Sequence, residues 1–300
     1  MKFIFDFIKG MFIGVANIIP GVSGGTMAVS MGIYDKLVNA LNNLTKKFKK
    51  SFVTLLPIII GMAAGIGLFS FIIPHCLENY AFQTCMCFTG LIIGGIPELV
   101  GSTRTSFKKE NKKLGPFHIL AFAIFLAIAL WMAFANPASS GADTISVSFK
   151  NIVIMVALGI IASATMVVPG ISGSLILMML GYYSGVVGSV KDFIVAIKEL
   201  DKTGILHGIE ILIPFAIGCI LGILLISKLI SFLFRKCESV TLCGILGLVI
   251  ASPVAIFAKM ENASFNAVSI IIGIILLIAG TALTYFLGKN TKETDKTTEA

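Results

Sequence analysis

The sequence predicts an all-α polytopic membrane protein built from an inverted repeat, each half a re-entrant broken-helix hairpin followed by three transmembrane helices. Four observations predict it. The chain is 57% hydrophobic and 13% charged, with a mean hydropathy of +0.99, where a soluble domain carries about 25% charged residues. Several of its apolar runs reach the ~20 residues that a helix needs to cross a bilayer. A phrase also occurs twice: residues 14–34 read GVANIIPGVSGGTMAVSMGIY and residues 163–183 read SATMVVPGISGSLILMMLGYY. Pro20, Gly21, Ser23, Gly24, Gly32 and Tyr34 thereby match Pro169, Gly170, Ser172, Gly173, Gly181 and Tyr183. A Pro-Gly break between apolar segments, present once per half, is the mark of discontinuous helices in transporter repeats. Finally, eighteen of the 23 Lys and Arg fall in the N-terminus, the loops 39–51, 101–116 and 229–239, and the tail, counting Lys36 and Lys228 at the edges of those loops. Lys150, Lys191, Lys198, Lys202 and Lys259 fall on the other side, which satisfies the positive-inside rule for an inverted topology.

The elements follow in order. Residues 1–150 form the first repeat, with a hairpin at about 8–38 and spans at about 52–73, 81–100 and 117–135. Asp6 and Lys9 interrupt the first apolar run, so it is no cleavable signal. The hairpin is long enough to enter the membrane and return, and its non-helical tip must be covered by protein or line a wet cavity. Residues 151–288 form the second, inverted repeat, with a hairpin at about 152–190 and spans at about 209–228, 240–258 and 267–287. The spans repeat as well: LLPIIIGMAAGIG at 55–67 aligns with LIPFAIGCILGIL at 212–224, and GLIIGGIP at 90–97 with GLVIASP at 247–253. Trp131 sits near an outer span end, as an interfacial aromatic does. The polar stretch 289–300 reads as a disordered cytoplasmic tail. With three spans per half, the first hairpin enters from the cytoplasm and the second from outside, and both tips are expected to meet near mid-membrane. Both chain termini are then cytoplasmic.

The net charge of +8 lies in short loops and not on one basic groove, so nucleic acid is not a partner. The six cysteines lie mostly in apolar runs and read as small buried residues. No ligand spacing for a metal is present, and no cofactor is expected.

The two tips carry the chemistry. Proline stops the incoming helix because it has no N–H, and glycine admits a reversed backbone and a close ligand. Ser23 and Ser172 stand where an N-cap belongs. The amides that follow have no intrahelical partner, and the helix dipole points its positive end at them, which suits an anion and phosphate above all. The expected substrate-binding residues are Asn17, Pro20, Gly21, Ser23, Gly24, Gly25 and Thr26 at the first tip, and Pro169, Gly170, Ser172, Gly173 and Ser174 at the second. Glu98 at a span end and Arg104 in the following loop are added as ionisable groups at the membrane. No catalytic residue is expected.

These phrases, over nearly the whole chain to about residue 288, resemble the bacterial polyprenyl-phosphate translocases of the PopT type, once a membrane domain of unknown function. The resemblance implies a bacterial inner-membrane flippase with re-entrant helices. Such a protein returns undecaprenyl phosphate, the lipid carrier of cell-wall precursors, from the outer to the cytoplasmic leaflet. A coupling proton or sodium ion is compatible with it. Two other readings stand beside it. A small-anion transporter or channel would use the same helix ends. An undecaprenyl-pyrophosphate phosphatase of the BacA type carries a similar PGxSRS phrase. Gly24-Gly25 and Gly173-Ser174 replace the arginine there, and no glutamate-rich helix accompanies them. Phosphoryl transfer needs both positive charge and a positioned acid, base or nucleophile.

Overall fold

The computed structural model describes residues 2–19, 22–135, 148–260 and 266–299. Every regular element among them is helical: α1 (Lys2–Ala16), α2 (Gly24–Ser30), α3 (Tyr34–Asn42), α4 (Phe48–Phe69), α5 (Ile72–Asn79), α6 (Ala81–Lys109), α7 (Pro116–Phe134), α8 (Phe149–Val167), α9 (Gly173–Met179), α10 (Tyr183–Glu199), α11 (Lys202–Lys236), α12 (Glu238–Ala258) and α13 (Ala267–Glu299). They fall into two compact units. One comprises Met1–Phe134, Val168–Ile171 and Leu229–Ala300; the other comprises Ala135–Val167 and Ser172–Lys228.

All six expected spans are helices, with boundaries moved by local chemistry. The first ends at Phe69 and is followed by the short α5, which carries His75 and Glu78. α6 runs on to Lys109, which corrects the placement of Arg104: it lies on a helix, because Gly101–Lys109 holds no proline and only one glycine to stop the helix. α11 starts at Lys202, capped by Asp201, whose carboxylate accepts the amides of Thr203 and Gly204 at 3.1 Å each. α13 continues as helix to Glu299, where the sequence reading expects a disordered tail. α8, the incoming limb of the second hairpin, has 19 residues and is itself long and apolar enough to cross a membrane; its counterpart α1 has 15. With α4, α6, α7, α11, α12 and Ala267–Gly288 this makes seven such helices among the described residues.

Glycines set how the helices of the first unit pack. A Cβ on Gly10 or Gly14 would come within 2.3 Å or 2.2 Å of the carbonyl oxygens of Ile58 and Met62. A Cβ on Gly61 or Gly65 would come within 2.1 Å or 2.2 Å of those of Phe7 and Met11. Helices α1 and α4 therefore touch backbone to backbone, the close approach that small residues allow in membranes. Both chains ascend together along this seam, so α1 and α4 are parallel. The second unit repeats the seam: Gly159 lies against the Phe215 carbonyl, Gly218 against that of Val156 and Gly222 against that of Ile160. Phe7, Gly10 and Met11 correspond to Val156, Gly159 and Ile160 under the spacing that aligns the two tips. Thus α8 and α11 are parallel too, and the sequence repeat is a repeat of packing.

The remaining spans of the first unit pair crosswise between the repeats. α6 packs along α13, with Gly90 against the Leu277 carbonyl and Gly94 against that of Thr281. α12 packs along α7, with Gly247 against the Phe122 carbonyl, and the two run the same way from His118–Ser239 at one end to Ala129 beside Leu248 and Ala251 at the other. Under the repeat, α6 corresponds to α12 and α7 to α13, so each half lends its last helix to the other, and both pairs are parallel. Apolar residues such as Trp131, Ile271 and Phe286 stay exposed along α7 and α13 and form the surface for lipid tails.

Polar clasps hold the ends. The Lys9 ammonium donates to the Met31 carbonyl at 2.9 Å, and Lys36 pairs with Asp6. Past α6, Gly115 N–H donates to His118 Nδ1 at 3.2 Å, which leaves Nε2 to donate to Ser239 Oγ at 3.0 Å. Ser239 in turn donates its hydroxyl and its amide to Glu110, both at 2.9 Å. Lys112 first, then Ser239, holds the Glu110 carboxyl down to about 2.

Two outcomes follow. Gly61→Leu puts a branched chain where a Cβ alone meets a backbone oxygen, and the thermal midpoint in detergent should fall by the equivalent of about 1–3 kcal/mol or more; Gly67→Leu, where nothing lies within 4 Å, leaves it unchanged. Because Glu110 titrates lower in the fold than its ordinary 4.5, its clasp contributes fully above that pH and is lost as pH falls towards about 2. Melting curves should therefore show Glu110→Gln destabilised near neutrality, with the gap to the parent closing in acid.

Candidate anion site at the broken helices

The two breaks have nearly the same backbone. Ser23 precedes α2 in the extended region (φ −100°, ψ 133°), and Ser172 precedes α9 likewise (φ −102°, ψ 124°). Each short helix has seven residues and ends at a glycine with positive φ, Gly32 at 67° and Gly181 at 75°. Such a conformation strains any residue with a Cβ. After α9 the chain bends by 111° into α10.

Ser23 and Ser172 occupy the N-cap position, but neither side chain caps its helix. The Ser23 hydroxyl, 5% exposed, turns to the Val168 carbonyl at 3.5 Å. The Ser172 and Ser174 hydroxyls pair with each other at 2.9 Å and remain open to their surroundings. The first-turn amides of Gly24 and Gly25, and of Gly173 and Ser174, are thus left without a side-chain acceptor from the cap. Gly24 and Gly173 are small for a reason. A Cβ at Gly24 would meet the Asn17 amide at 2.7 Å, and one at Gly173 would meet the Ala162 carbonyl at 2.6 Å. Asn17 is itself exposed and lies over the start of α2.

Thr26 has a different position from that expected. It is fully buried, and its oxygen accepts the Gly170 amide at 2.6 Å. Its hydroxyl faces Ser252 Oγ at 3.3 Å, and Ser252 donates to the Leu248 carbonyl at 3.1 Å. The donors run in one direction, Gly170 to Thr26 to Ser252 to Leu248. Gly170 needs this acceptor because its φ of 76° takes its amide out of helical register. Val168 and Ile171 flank it in an apolar cluster with Ala129, Leu248 and Ala251.

Glu98 is not at the tip. It shares a small cavity with Gly32, Tyr34, Asp35 and Ser102, beside the far end of α2. Arg104 is exposed further along α6. Pro20 and Gly21 lie outside the described residues. Pro169 is buried beside Gly170. Among the described residues no group of three or more His, Cys, Asp or Glu is placed to hold a metal. Sequence reasoning missed Ser252; its signal is a hydroxyl in the otherwise apolar GLVIASP phrase, next to Pro253.

A family model described as VCA0040-like, undecaprenyl phosphate translocase-like, matches residues 13–272. The polyprenyl-phosphate transporter of Staphylococcus aureus is 30% identical over 293 residues, which cover 97% of this chain and 98% of that protein. A polyprenyl-phosphate transporter of Vibrio cholerae is 28% identical over 281 residues, 89% of this chain and 81% of that protein. No solved structure matches.

The Thr26 hydroxyl is the central link of the chain that begins at Gly170. Thr26→Val removes the acceptor and leaves the half-buried Gly170 amide unpaired, which should cost about 1–3 kcal/mol and speed hydrogen exchange at Gly170. Thr26→Ser should restore both. Equal exchange in the two variants would show that Gly170 has another partner.

Proposed function

The chain belongs to the undecaprenyl phosphate translocase-like family, and we propose that it carries undecaprenyl phosphate from the outer to the cytoplasmic leaflet of the bacterial inner membrane, for reuse in cell-envelope synthesis. The family is one of transporters and not of enzymes. The observation that carries the finer reading is the pair of uncapped helix starts at Ser23 and Ser172. Each offers first-turn amides and neutral hydroxyls in an apolar setting, the chemistry that replaces water around a phosphate head. Gly24, Gly25 and Asn17 serve the first start, and Gly173, Ser172 and Ser174 the second. Thr26 holds the geometry and does not itself face the ligand. Glu98 lies away from the helix start, in a position suited to a coupling proton or sodium ion rather than to the phosphate.

The parallel helix pairs support an inverted repeat. If successive spans alternate across the bilayer, α4 ascends, α6 descends, α7 ascends and α8 descends. α1 runs with α4 and α8 runs with α11, so the first repeat unit starts upwards and the second downwards. The same alternation has α12 ascending with α7 and α13 descending with α6, as the two seams require. It holds only if the chain returns to its starting side after each Pro-Gly break, that is, if both hairpins are re-entrant. Alternating access would then expose the phosphate to each leaflet in turn while the polyprenyl tail stays in lipid.

The test is transbilayer movement of undecaprenyl phosphate in proteoliposomes holding the purified protein. Movement should exceed that in empty liposomes and drop at least about tenfold in Ser23→Ala/Ser172→Ala, with protein yield and melting unchanged. Full transport by that well-folded double variant would remove the hydroxyls from the mechanism. Chloride flux in place of lipid movement would favour the small-anion reading.

A further inference from the structure

A second site of phosphate chemistry lies outside the broken helices. A pocket between α3 and the start of α4 is lined by Lys36, Asn39, Asn43, Lys47, Lys50 and Ser51, with Ala40 and Thr54 completing it. Lys47 is the N-cap of the 22-residue α4, and Lys50 stands in its first turn. The open amides of that turn, the positive helix end and two ammonium groups thus converge. Lys36 is held by Asp6 and adds little free charge. The decisive residue is Ser51. It is 4% exposed, lines the pocket, and its hydroxyl makes no hydrogen bond with the described residues. Its Oγ is not sealed off from the pocket, so a ligand or water there can pair with it.

The second repeat does not carry the same residues. The repeat spacing puts Gly185, Gly188 and Asp192 in place of Lys36, Asn39 and Asn43. It puts Gly204, His207 and Gly208 in place of Lys47, Lys50 and Ser51. A charge surplus that served only the positive-inside rule would need neither the buried serine nor the asparagine-lined wall. We propose that the α3–α4 pocket binds a dianionic phosphomonoester head on the face where the first hairpin begins and ends. Resting on the transport reading above, it is the station at which the phosphate is received after it leaves the broken helices. A phosphomonoester fits better than a diester head such as that of phosphatidylglycerol. Two ammonium groups balance two negative charges, and the helix start and Ser51 supply the directional donors.

The experiment uses the full chain in phosphatidylcholine nanodiscs with a photoreactive polyprenyl phosphate as probe. Labelled peptides are mapped, with phosphatidate, inorganic phosphate and phosphatidylglycerol as competitors. The expected result is labelling within 36–54 that Lys47→Gln/Lys50→Gln weakens about tenfold and Ser51→Ala weakens less, with the melting midpoint unchanged. Competition by phosphatidate alone identifies a lipid phosphomonoester as the ligand, and competition also by inorganic phosphate shows that the free ion enters as well. Labelling of 36–54 that survives the double lysine variant, or equal competition by phosphatidylglycerol, overturns the proposal. Transport by the parent protein without labelling of 36–54 sinks this pocket alone. Labelling without any transport sinks the transport reading and leaves the pocket standing.

Discussion

A backbone amide released by a helix break has no water to turn to inside an apolar layer, and the Gly170 amide finds Thr26. Much of the first unit is arranged around that bond. Thr26 is placed by α2, which packs on α6 where Gly95 has no side chain to separate it from Ser30. Ser252 and Leu248 complete the donor chain from α12, which α7 backs through Gly247 and Phe122. To bring an acceptor to the Gly170 amide the break has to be surrounded by helices at backbone distance, and glycine seams supply that closeness.

The two repeats share a backbone but not the forces that hold it. In the first, Asp6 pairs with Lys36, and Lys9 reaches the Met31 carbonyl just past α2. The repeat spacing puts Met155, Leu158 and Gly185 at those three positions. Met155 and Leu158 belong to an apolar cluster with Ala162, Leu177, Val186 and Ile211. Directional charge pairs specify one arrangement at a cost in desolvation, whereas an apolar cluster of this sort accepts small shifts of its members with less loss. One sequence pattern thus yields a hairpin tied by ions and another held by packing.

The fold was legible to the extent that it rests on periodicity and punctuation. Apolar runs gave the spans, and the Pro-Gly phrases gave the breaks, because both signals are local. Arg104 was misplaced into a loop since its segment is polar, and polarity alone does not end a helix. The partnership of Thr26 with Gly170 was not legible at all: the residues are 144 apart, and a threonine after Gly-Gly reads equally well as a ligand and as a strut. The seams lay in between. The matching glycines were visible in the aligned phrases, but that α6 takes α13 and α12 takes α7 is a property of tertiary packing. Glu98 illustrates the same limit, since a carboxylate at a span end does not reveal which end of a neighbouring short helix it faces.

On the transport reading, the absence of an arginine at either break has a physical sense. A guanidinium buried beside a phosphate would make a deep well, useful where charge on a transition state must be stabilised. A carrier needs a site favourable enough to receive the head group and shallow enough to release it, the balance that also governs conduction through ion pores. Neutral donors at Ser23, Gly24 and Gly25 provide a moderate well in a low-dielectric setting, where even dipoles count strongly. Full positive charge is kept for the rim of one face, at Lys47 and Lys50, where water screens it and release costs less. The same lipid phosphate would then meet dipoles in the apolar layer and ammonium groups only where it leaves that layer, an order of encounters set by which residues the chain can bury without paying for an unpaired charge.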